Sequence, residues 1–483
     1  MYLGIDIGTS SVKVTLIEGN QKIIGSGHAS LDVGRPHPGW SEQNPLDWIT
    51  ATKQAIGAIQ ATHARSLAAV TGIGLSGQMH GATLLDQHDE PLRACILWND
   101  TRAHREASEL DDNPMFRKIS GNIVFPGFTA PKLVWVKNNE PDTFAALRWV
   151  LLPKDYLRLW LTGQHVSDMS DASGTGWLNT GARTWSEDLL AATALDERQM
   201  PALAEGVDAT GTLRAEHAEL WGMGSKVIVA GGASDNAASA CGMGTVRHGS
   251  AFVSIGTSGV LFVANDTYLP NAASAVHTFC HALPASWHQM GVNLSATDSL
   301  NWLASLTCRS VAELTGELGE ALKPPGNVTF LPYLSGERTP HNDAKIRGVF
   351  AGLSHESGHP QLTQAVLEGV AFALRDSLEA LRAAGTEITR VMAIGGGSRS
   401  RYWLSAIATA LNVVIEVPEE GDFGAAFGAA RLGLIAAESA DPLSVCTAPA
   451  ASETIAPNRE LTPAYATAYE RYRALYETAR GFA

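Results

Sequence analysis

Short runs rich in apolar and β-branched residues begin at the second position. Tyr2-Leu3-Gly4-Ile5-Asp6 and Val12-Lys13-Val14 read as short strands, and so do Ala251-Phe252-Val253-Ser254 and Val260-Leu261-Phe262-Val263. Each pair is joined by a tight turn, which predicts two β-hairpins. Residues 45–59 place Trp48, Ile49, Ala55 and Ile56 on one helical face. Apolar runs ending in glycine predict buried strands at 68–77 and 227–232, with a further strand at 82–85. Helices are predicted at 130–138 and 154–161, and the Asp-, Ser- and Gly-rich stretch 168–177 reads as a loop. After the second hairpin the grammar repeats, with helices at 294–306, 362–384, 401–411 and 425–435 and strands at 328–331, 390–394 and 413–417. Residues 436–457, loosened by Ala, Ser, Pro and Asp, read as a connector. A final amphipathic helix at 464–480 carries Tyr465, Tyr469, Tyr472 and Tyr476, a stripe whose spacing predicts packing.

Both hairpin turns have the same sequence, Ile7-Gly8-Thr9-Ser10 and Ile255-Gly256-Thr257-Ser258. Gly, Thr and Ser in such a turn aim N–H groups and hydroxyls at one spot, which suits a phosphate. Two copies about half a chain apart imply a duplication with a nucleotide clamped between the halves. Asp6 precedes the first copy where Ser254 precedes the second, so only one half carries a carboxylate beside the phosphate turn.

Composition narrows the classes. A chain of 483 residues is too long for one ordinary core; about three domains is the prior, and two large ones fit. The net charge of −14 argues against nucleic acid or an anionic membrane as partner, but not against a nucleotide held by local N–H groups and a metal ion. No apolar run reaches about 18 residues, and strand pattern begins at once, so neither a membrane span nor a signal peptide is expected. Cys95, Cys241, Cys280, Cys308 and Cys446 have no framework spacing, which fits reduced thiols in the cytoplasm.

Several motifs have a functional and a plainer reading. Gly72-Ile73-Gly74-Leu75-Ser76-Gly77 matches a dinucleotide fingerprint, but its glycines lie within a strand and open no helix. No Gly-x-x-x-x-Gly-Lys-Ser/Thr loop is present. His277, Cys280, His281 and His288 have plausible zinc spacing without a second Cys pair, and read better as a packed loop cluster. Asp235 follows an apolar strand and glycines, at the start of an Ala-rich helix. It is either a helix cap, a role Ser234 could share, or a base at the cleft between the halves. Gly395-Gly396-Gly397-Ser398 joins a strand to a helix, the context in which backbone meets a nucleotide.

Longer segments carry a resemblance. Gly127-Phe128-Thr129-Ala130-Pro131-Lys132-Leu133-Val134-Trp135-Val136-Lys137-Asn138-Asn139 matches the first signature of the FGGY carbohydrate kinases throughout. Gly348-Val349-Phe350-Ala351-Gly352-Leu353, continuing through Leu367-Glu368, resembles the second, and the likeness covers nearly the whole chain. Gly77-Gln78-Met79-His80-Gly81-Ala82-Thr83, Ile96-Leu97-Trp98-Asn99-Asp100, Leu152-Pro153-Lys154-Asp155-Tyr156-Leu157 and Leu334-Ser335-Gly336-Glu337-Arg338-Thr339-Pro340-His341 resemble the branch of the family that acts on D-xylulose. Many relatives read Gly-Gly-Gly-Asp-Asn where this chain has Gly231-Gly232-Ala233-Ser234-Asp235-Asn236, so the local turn is expected to differ slightly.

The resemblance implies a two-lobed, actin-like (ribonuclease H-like) α/β ATPase fold, with duplicated mixed-sheet domains around a central cleft. The expected division is a sugar-binding lobe at 1–244, an adenosine-binding lobe at 245–440, and a connector with a C-terminal helix at 441–483. It implies transfer of the ATP γ-phosphoryl group to D-xylulose or a related ketose, with Asp235 as general base and Asp6 holding Mg²⁺ through water. Gly8, Thr9, Ser10, Gly256, Thr257 and Ser258 would cradle the phosphates, and Gly395, Gly396, Gly397 and Ser398 would meet the adenosine. Lys13 either adds charge there or is solvated. Sugar recognition is expected from the first lobe: Met79 shaping the pocket, His80 donating to hydroxyls, with Gln78, Trp98, Asn99, Asp100 and Asn236 as further candidates. For Trp98, core packing is the competing reading. The rivals are a kinase for another polyol (ribulose, glycerol or gluconate) and a non-kinase actin-like ATPase. Oligomer geometry is not legible, and a homodimer is one arrangement left open.

Overall fold

The computed structural model describes residues 1–419 and 421–482. Its framework is two seven-stranded mixed sheets. In the first, the strands run in the order Ala209–Thr212, Ile228–Ala230, Gly72–Gly77, Tyr2–Ile7, Ser11–Ile17, Ile23–Ser30, with the short Ala233–Ser234 also pairing with Gly72–Gly77. In the second the order is Ala451–Ile455, Val414–Pro418, Arg390–Ile394, Ala251–Ile255, Gly259–Asn265, Trp287–Asn293, with His277–Cys280 added at the edge. Taken in these orders, both sheets pair antiparallel, parallel, parallel, antiparallel, antiparallel. The two Ile-Gly-Thr-Ser turns therefore occupy equivalent places, and the duplication extends well beyond the hairpins that announce it.

The helices cover the sheets as their apolar faces require. Pro45–Ala68 packs its buried Trp48, Ile49, Ala55 and Ile56 against the first sheet. His359–Ala383 and Arg401–Leu411 do the same for the second. The final helix, Thr462–Ala479, buries Tyr465, Tyr469, Tyr472 and Tyr476, so the aromatic stripe is packing.

Two helices join the lobes. Asp235–Met243 follows the parallel strands of the first sheet, and Ala425–Glu438 follows those of the second. Ala425–Glu438 rests on the first lobe's sheet, and Asp235–Met243 packs against Ala425–Glu438 while its far end reaches the second sheet. Ala240 and Met243 cluster with Phe252, Phe262 and Met392 of the second sheet. Ala425–Glu438 lies so close to the first sheet that a Cβ at Gly74 would sit 1.7 Å from the Ala429 carbonyl oxygen. Glycine usually weakens a strand interior; here it admits a helix backbone.

Two expectations need correction. Residues 168–177 are not a loop but the end of strand Val166–Asp168, helix Met169–Ala172 and a 3₁₀ turn, with every residue from 168 to 177 buried except Met169. Their polar composition is neutralised internally, as described below. The expected connector contains strand Ala451–Ile455 at the edge of the second sheet. Only Ile455 of it is buried, so no apolar pattern marks it. Among the described residues, no helix is long and apolar enough to cross a membrane. All five cysteines are free, and all but Cys308 are buried.

Candidate active site

Strand register brings two carboxylates together at the cleft. Asp6 is aligned with Ser76, and Ser76 with Ala233, which places Asp235 just beyond the same row. Burial pushes the Asp6 carboxyl up to about 6, against the pull of Ser76 and Lys13. Burial, and then the charge of Asp6, push Asp235 up to about 7. Asp235 Oδ1 accepts from the Asn236 backbone N–H at 2.7 Å and its Nδ2 at 2.9 Å. Ser234, at the cap position, makes no capping bond, so neither side chain satisfies the N-terminal turn in the usual way.

A buried polar network stands behind Asp235. The Ser234 N–H donates to Ser170 Oγ at 3.0 Å, and Ser170 Oγ donates to Asp168 Oδ2 at 2.5 Å. Lys154 Nζ pairs with Asp168 at 2.9 Å and with Asp155, all three side chains being wholly buried. Arg158 donates to the Ala230 carbonyl at 2.7 Å and the Gly231 carbonyl at 2.5 Å, fixing the approach to the helix. This network is why an Asp- and Ser-rich segment folds inward. Of its side chains, those of Ser170, Asp168 and Arg158 lay outside the motifs that carry the family resemblance.

The first phosphate-type turn is latched from several sides. Gln43 Nε2 donates to the Thr9 carbonyl at 2.7 Å, Thr9 Oγ1 to Gln78 Oε1 at 3.1 Å, and Trp98 Nε1 to Thr9 Oγ1 at 2.9 Å. Gln78 thus braces the turn, through Gln43 as well, at 2.8 Å, and does not line the neighbouring cavity. Trp98 is 48% exposed and bonded to the turn, which sets aside core packing. In the second turn the Thr297 N–H and hydroxyl donate to the Gly256 carbonyl at 2.9 and 2.8 Å. Lys13, opposite Asp6 in the hairpin, forms an ion pair with Asp422 and is not merely solvated.

Beside Asp235 lies a cavity of about 330 Å³, within the usual range for small-ligand sites. Met79, His80, Trp98, Asn99, Asp100 and Asn236 all line it. The Asp100 carboxylate is engaged, by Arg102 at 2.6 and 2.9 Å and by the Ser41 N–H at 2.6 Å. His80 has φ +69°, a left-handed conformation that costs a non-glycine residue energy. Lys132 Nζ and Thr129 Oγ1 hold it by donating to its carbonyl at 2.8 and 3.1 Å, and its ring stacks on Phe128 at 4.8 Å. Burial and the nearby Lys132 push the His80 imidazole down to about 3, so it is neutral. Nδ1 meets the Gly174 carbonyl at 2.6 Å and must carry the proton, which leaves Nε2 an acceptor. Sequence reasoning expected a donor here.

The cavity is also lined from the second lobe, by His277, Phe279, Met290 and Arg338 among others. The candidate sugar contacts expected from the first lobe thus share this cavity with residues of the second. His277 and Phe279 sit on a strand, and the histidines are buried there, their basicity lowered chiefly by desolvation. Among the described residues, no cluster of three or more His, Cys, Asp or Glu is placed to hold a metal.

A larger cavity of about 880 Å³ opens in the second lobe, lined by Gly396, Gly397, Thr297, Asn301 and Tyr402 among others. Gly395 has φ +91°, and a Cβ there would meet the Ile255 carbonyl oxygen at 2.7 Å. Ser398 Oγ donates to the Gly395 carbonyl at 2.7 Å and holds the turn from behind. Gly396 and Gly397 themselves open a 3₁₀ turn, Gly396–Arg399, that leads into helix Arg401–Leu411, whose first turn is capped by Ser400.

Paired lobes with phosphate-type turns at equivalent places, and a largely apolar cavity with a few polar groups next to Asp235, define a phosphotransferase of the two-lobed ATPase class. Residues 1–242 match the N-terminal domain of the FGGY family of carbohydrate kinases and residues 251–437 its C-terminal domain; the chain belongs to that family. It is 47% identical over 480 residues, 99% of each chain, to a xylulose kinase from Escherichia coli (strain K12). Among solved structures, a "xyloylose kinase" from Brucella ovis has 65% identity and a TM-score of 0.99, with 100% of both chains covered. The xylulose kinase from Rhodospirillum rubrum has 28% identity and a TM-score of 0.92, covering 100% of this chain and 99% of that one.

Proposed function

We propose that this chain catalyses ATP-dependent phosphorylation of D-xylulose to D-xylulose 5-phosphate, with Asp235 as general base. The observation that carries the reading is the position of Asp235: half-buried, close enough to Asp6 to feel its charge, and adjacent to Asn236, which lines the cavity with Met79 and His80. The names of the most similar relatives support D-xylulose as the acceptor. The sugar hydroxyl attacks the γ-phosphorus in line, the bond to the β–γ bridging oxygen breaks, and the hydroxyl proton passes to Asp235. The two Gly-Thr-Ser turns contact the phosphates from opposite lobes, and the glycines at 395–397 accommodate the adenosine. We assign residues 1–244 mainly to sugar binding and the base, and 245–440 to the nucleotide.

Asp6 Oδ1 is buried without a hydrogen-bond partner, the kind of free oxygen a hydrated cation takes up. A single carboxylate beside phosphates fits Mg²⁺, which keeps several waters and seldom needs a full protein cage. When bound, Mg²⁺ supplies charge neutralisation on the phosphates.

The test is coupled ADP release across a panel of ketoses, polyols and sugar acids. D-xylulose should give the highest kcat/KM, and ATP turnover should rise when it is added. Turnover indifferent to every sugar would sink the kinase reading. Asp235→Ala should lower kcat by about 10²- to 10⁴-fold, the usual span for a general base; a near-native rate would remove Asp235 from that role.

A further inference from the structure

We propose that Arg338, carried by the second lobe, contacts the sugar directly and determines its affinity by donating hydrogen bonds to oxygens of the bound ketose. The proposal rests on the kinase reading above. Arg338 lines the same cavity as Met79, His80 and Asn236. Among the described residues its guanidinium has no ion-pair partner. Its side chain makes one long contact, Nη1 to His277 Nε2 at 3.4 Å, and lies 4.2 Å from the centre of the Phe125 ring.

The carboxylates nearby are already committed. Glu337 Oε1 accepts from the N–H groups of Leu294 at 2.9 Å and Arg338 itself at 2.7 Å, and Oε2 faces Asn293 Nδ2 at 3.3 Å. Asp100 is held by Arg102 and the Ser41 N–H. Burying an unpaired cation is costly, and the stacking on Phe125 offsets only part of that cost. A polyol answers the remaining need, because guanidinium has five N–H donors and no acceptor, while sugar oxygens accept. His80 Nε2 supplies the complementary acceptor from the first lobe.

The loop that carries Arg338 is pinned to the second sheet. The Thr339 N–H donates to the Val292 carbonyl at 3.0 Å, and its hydroxyl to the Ala275 carbonyl at 2.9 Å. The donor is therefore placed before the sugar arrives. A ketose held by His80 on one side and Arg338 on the other bridges the lobes, so sugar binding favours their closure.

The experiment compares wild-type enzyme with Arg338→Met and Arg338→Lys, varying D-xylulose and ATP separately and titrating D-xylulose calorimetrically. Loss of charge-assisted hydrogen bonds predicts a sugar KM and Kd raised about 10- to 100-fold in Arg338→Met, with the KM for ATP changed less than about twofold. Arg338→Lys, which keeps a cation and three donors, should recover part of the loss. Far-ultraviolet circular dichroism and melting establish folding; if Arg338→Met does not fold, Arg338→Lys decides, and it should raise the sugar KM at least about threefold. A folded variant with native sugar KM, or a loss shared equally by ATP and sugar, overturns the proposal. A wild-type enzyme inactive on D-xylulose would instead overturn the kinase reading, so the two failures are distinguishable.

Discussion

The junction between the two linking helices offers a decisive perturbation. A Cβ placed on Gly428 would sit 1.7 Å from the Ala238 carbonyl oxygen and 2.8 Å from the Gly242 nitrogen. Ordinary van der Waals contact begins at 3.4 Å, so Gly428→Ala requires the helices to separate by about 1.7 Å. Both sides of the clash are backbone, and no rotamer change relieves it. Helix propensity alone would favour alanine by about 1 kcal/mol, whereas overpacking costs about 1–3 kcal/mol and more when backbone must move. Packing therefore wins, and melting should fall by several degrees, at about 2–4 °C per kcal/mol for units of this size. Function should suffer more. The displaced partner is the helix that begins at Asp235, and a shift of about 1 Å in a reacting group can cost about 10²-fold in rate. Gly57→Ala is the control: also helical, with nothing within 4 Å, it should be neutral or slightly stabilising. Melting and steady-state kinetics of both variants check the argument. If Gly428→Ala matched Gly57→Ala in melting temperature and kcat, close helix contact could not be what sets the position of Asp235.

Two further outcomes follow from the site. Because Asp235 is pushed up to about 7, it keeps its proton to higher pH than an ordinary carboxyl, and the base form grows as pH rises. The profile of kcat/KM for the sugar should therefore climb about tenfold per pH unit below 7 and level above it; a flat profile from about pH 5.5 to 8 would contradict this assignment. Ser170→Ala removes the acceptor of the Ser234 N–H, leaving a buried donor unsatisfied at a cost of about 1–3 kcal/mol. It should lower kcat about tenfold with the sugar KM nearly unchanged, and Ser170→Thr should restore the rate; equal effects of Ala and Thr would argue against a positioning role.

What was legible in the sequence depended on whether function sat on backbone pattern or on tertiary convergence. The paired turns were legible because hairpin alternation and Gly-Thr-Ser are local signals. The same holds for Asp235, delivered by an apolar strand to a helix start. The segment 168–177 was misread because composition cannot say that Lys154 neutralises its acids inside the fold. Strand Ala451–Ile455 was hidden because an edge strand needs little apolar surface. Gln78 resembled a sugar ligand by its place next to Met79, yet its side chain braces Thr9, a choice made by Gln43 from a distant segment. The role of His80 turned on a carbonyl far along the chain, that of Gly174. Arg338 lay within a quoted motif, but only the meeting of the lobes places it in the cavity.

The packing of helices between the lobes bears on how the two halves act together. Ala425–Glu438 is seated on the first lobe's sheet and meets Asp235–Met243 backbone to backbone where Gly428 faces Ala238. That contact adjoins the helix of Asp235 on one side, while on the other it supports, through Ala425–Glu438, the strand that carries Asp6. A duplicated fold whose helices stayed on their own sheets would let the acid and the phosphate turn drift apart as the cleft opened. Here one helix, Ala425–Glu438, packs against both the strand of Asp6 and the helix of Asp235, so the two carboxylates share one support. The sugar contact proposed for Arg338 lies apart from it, on the second lobe's wall of the cavity.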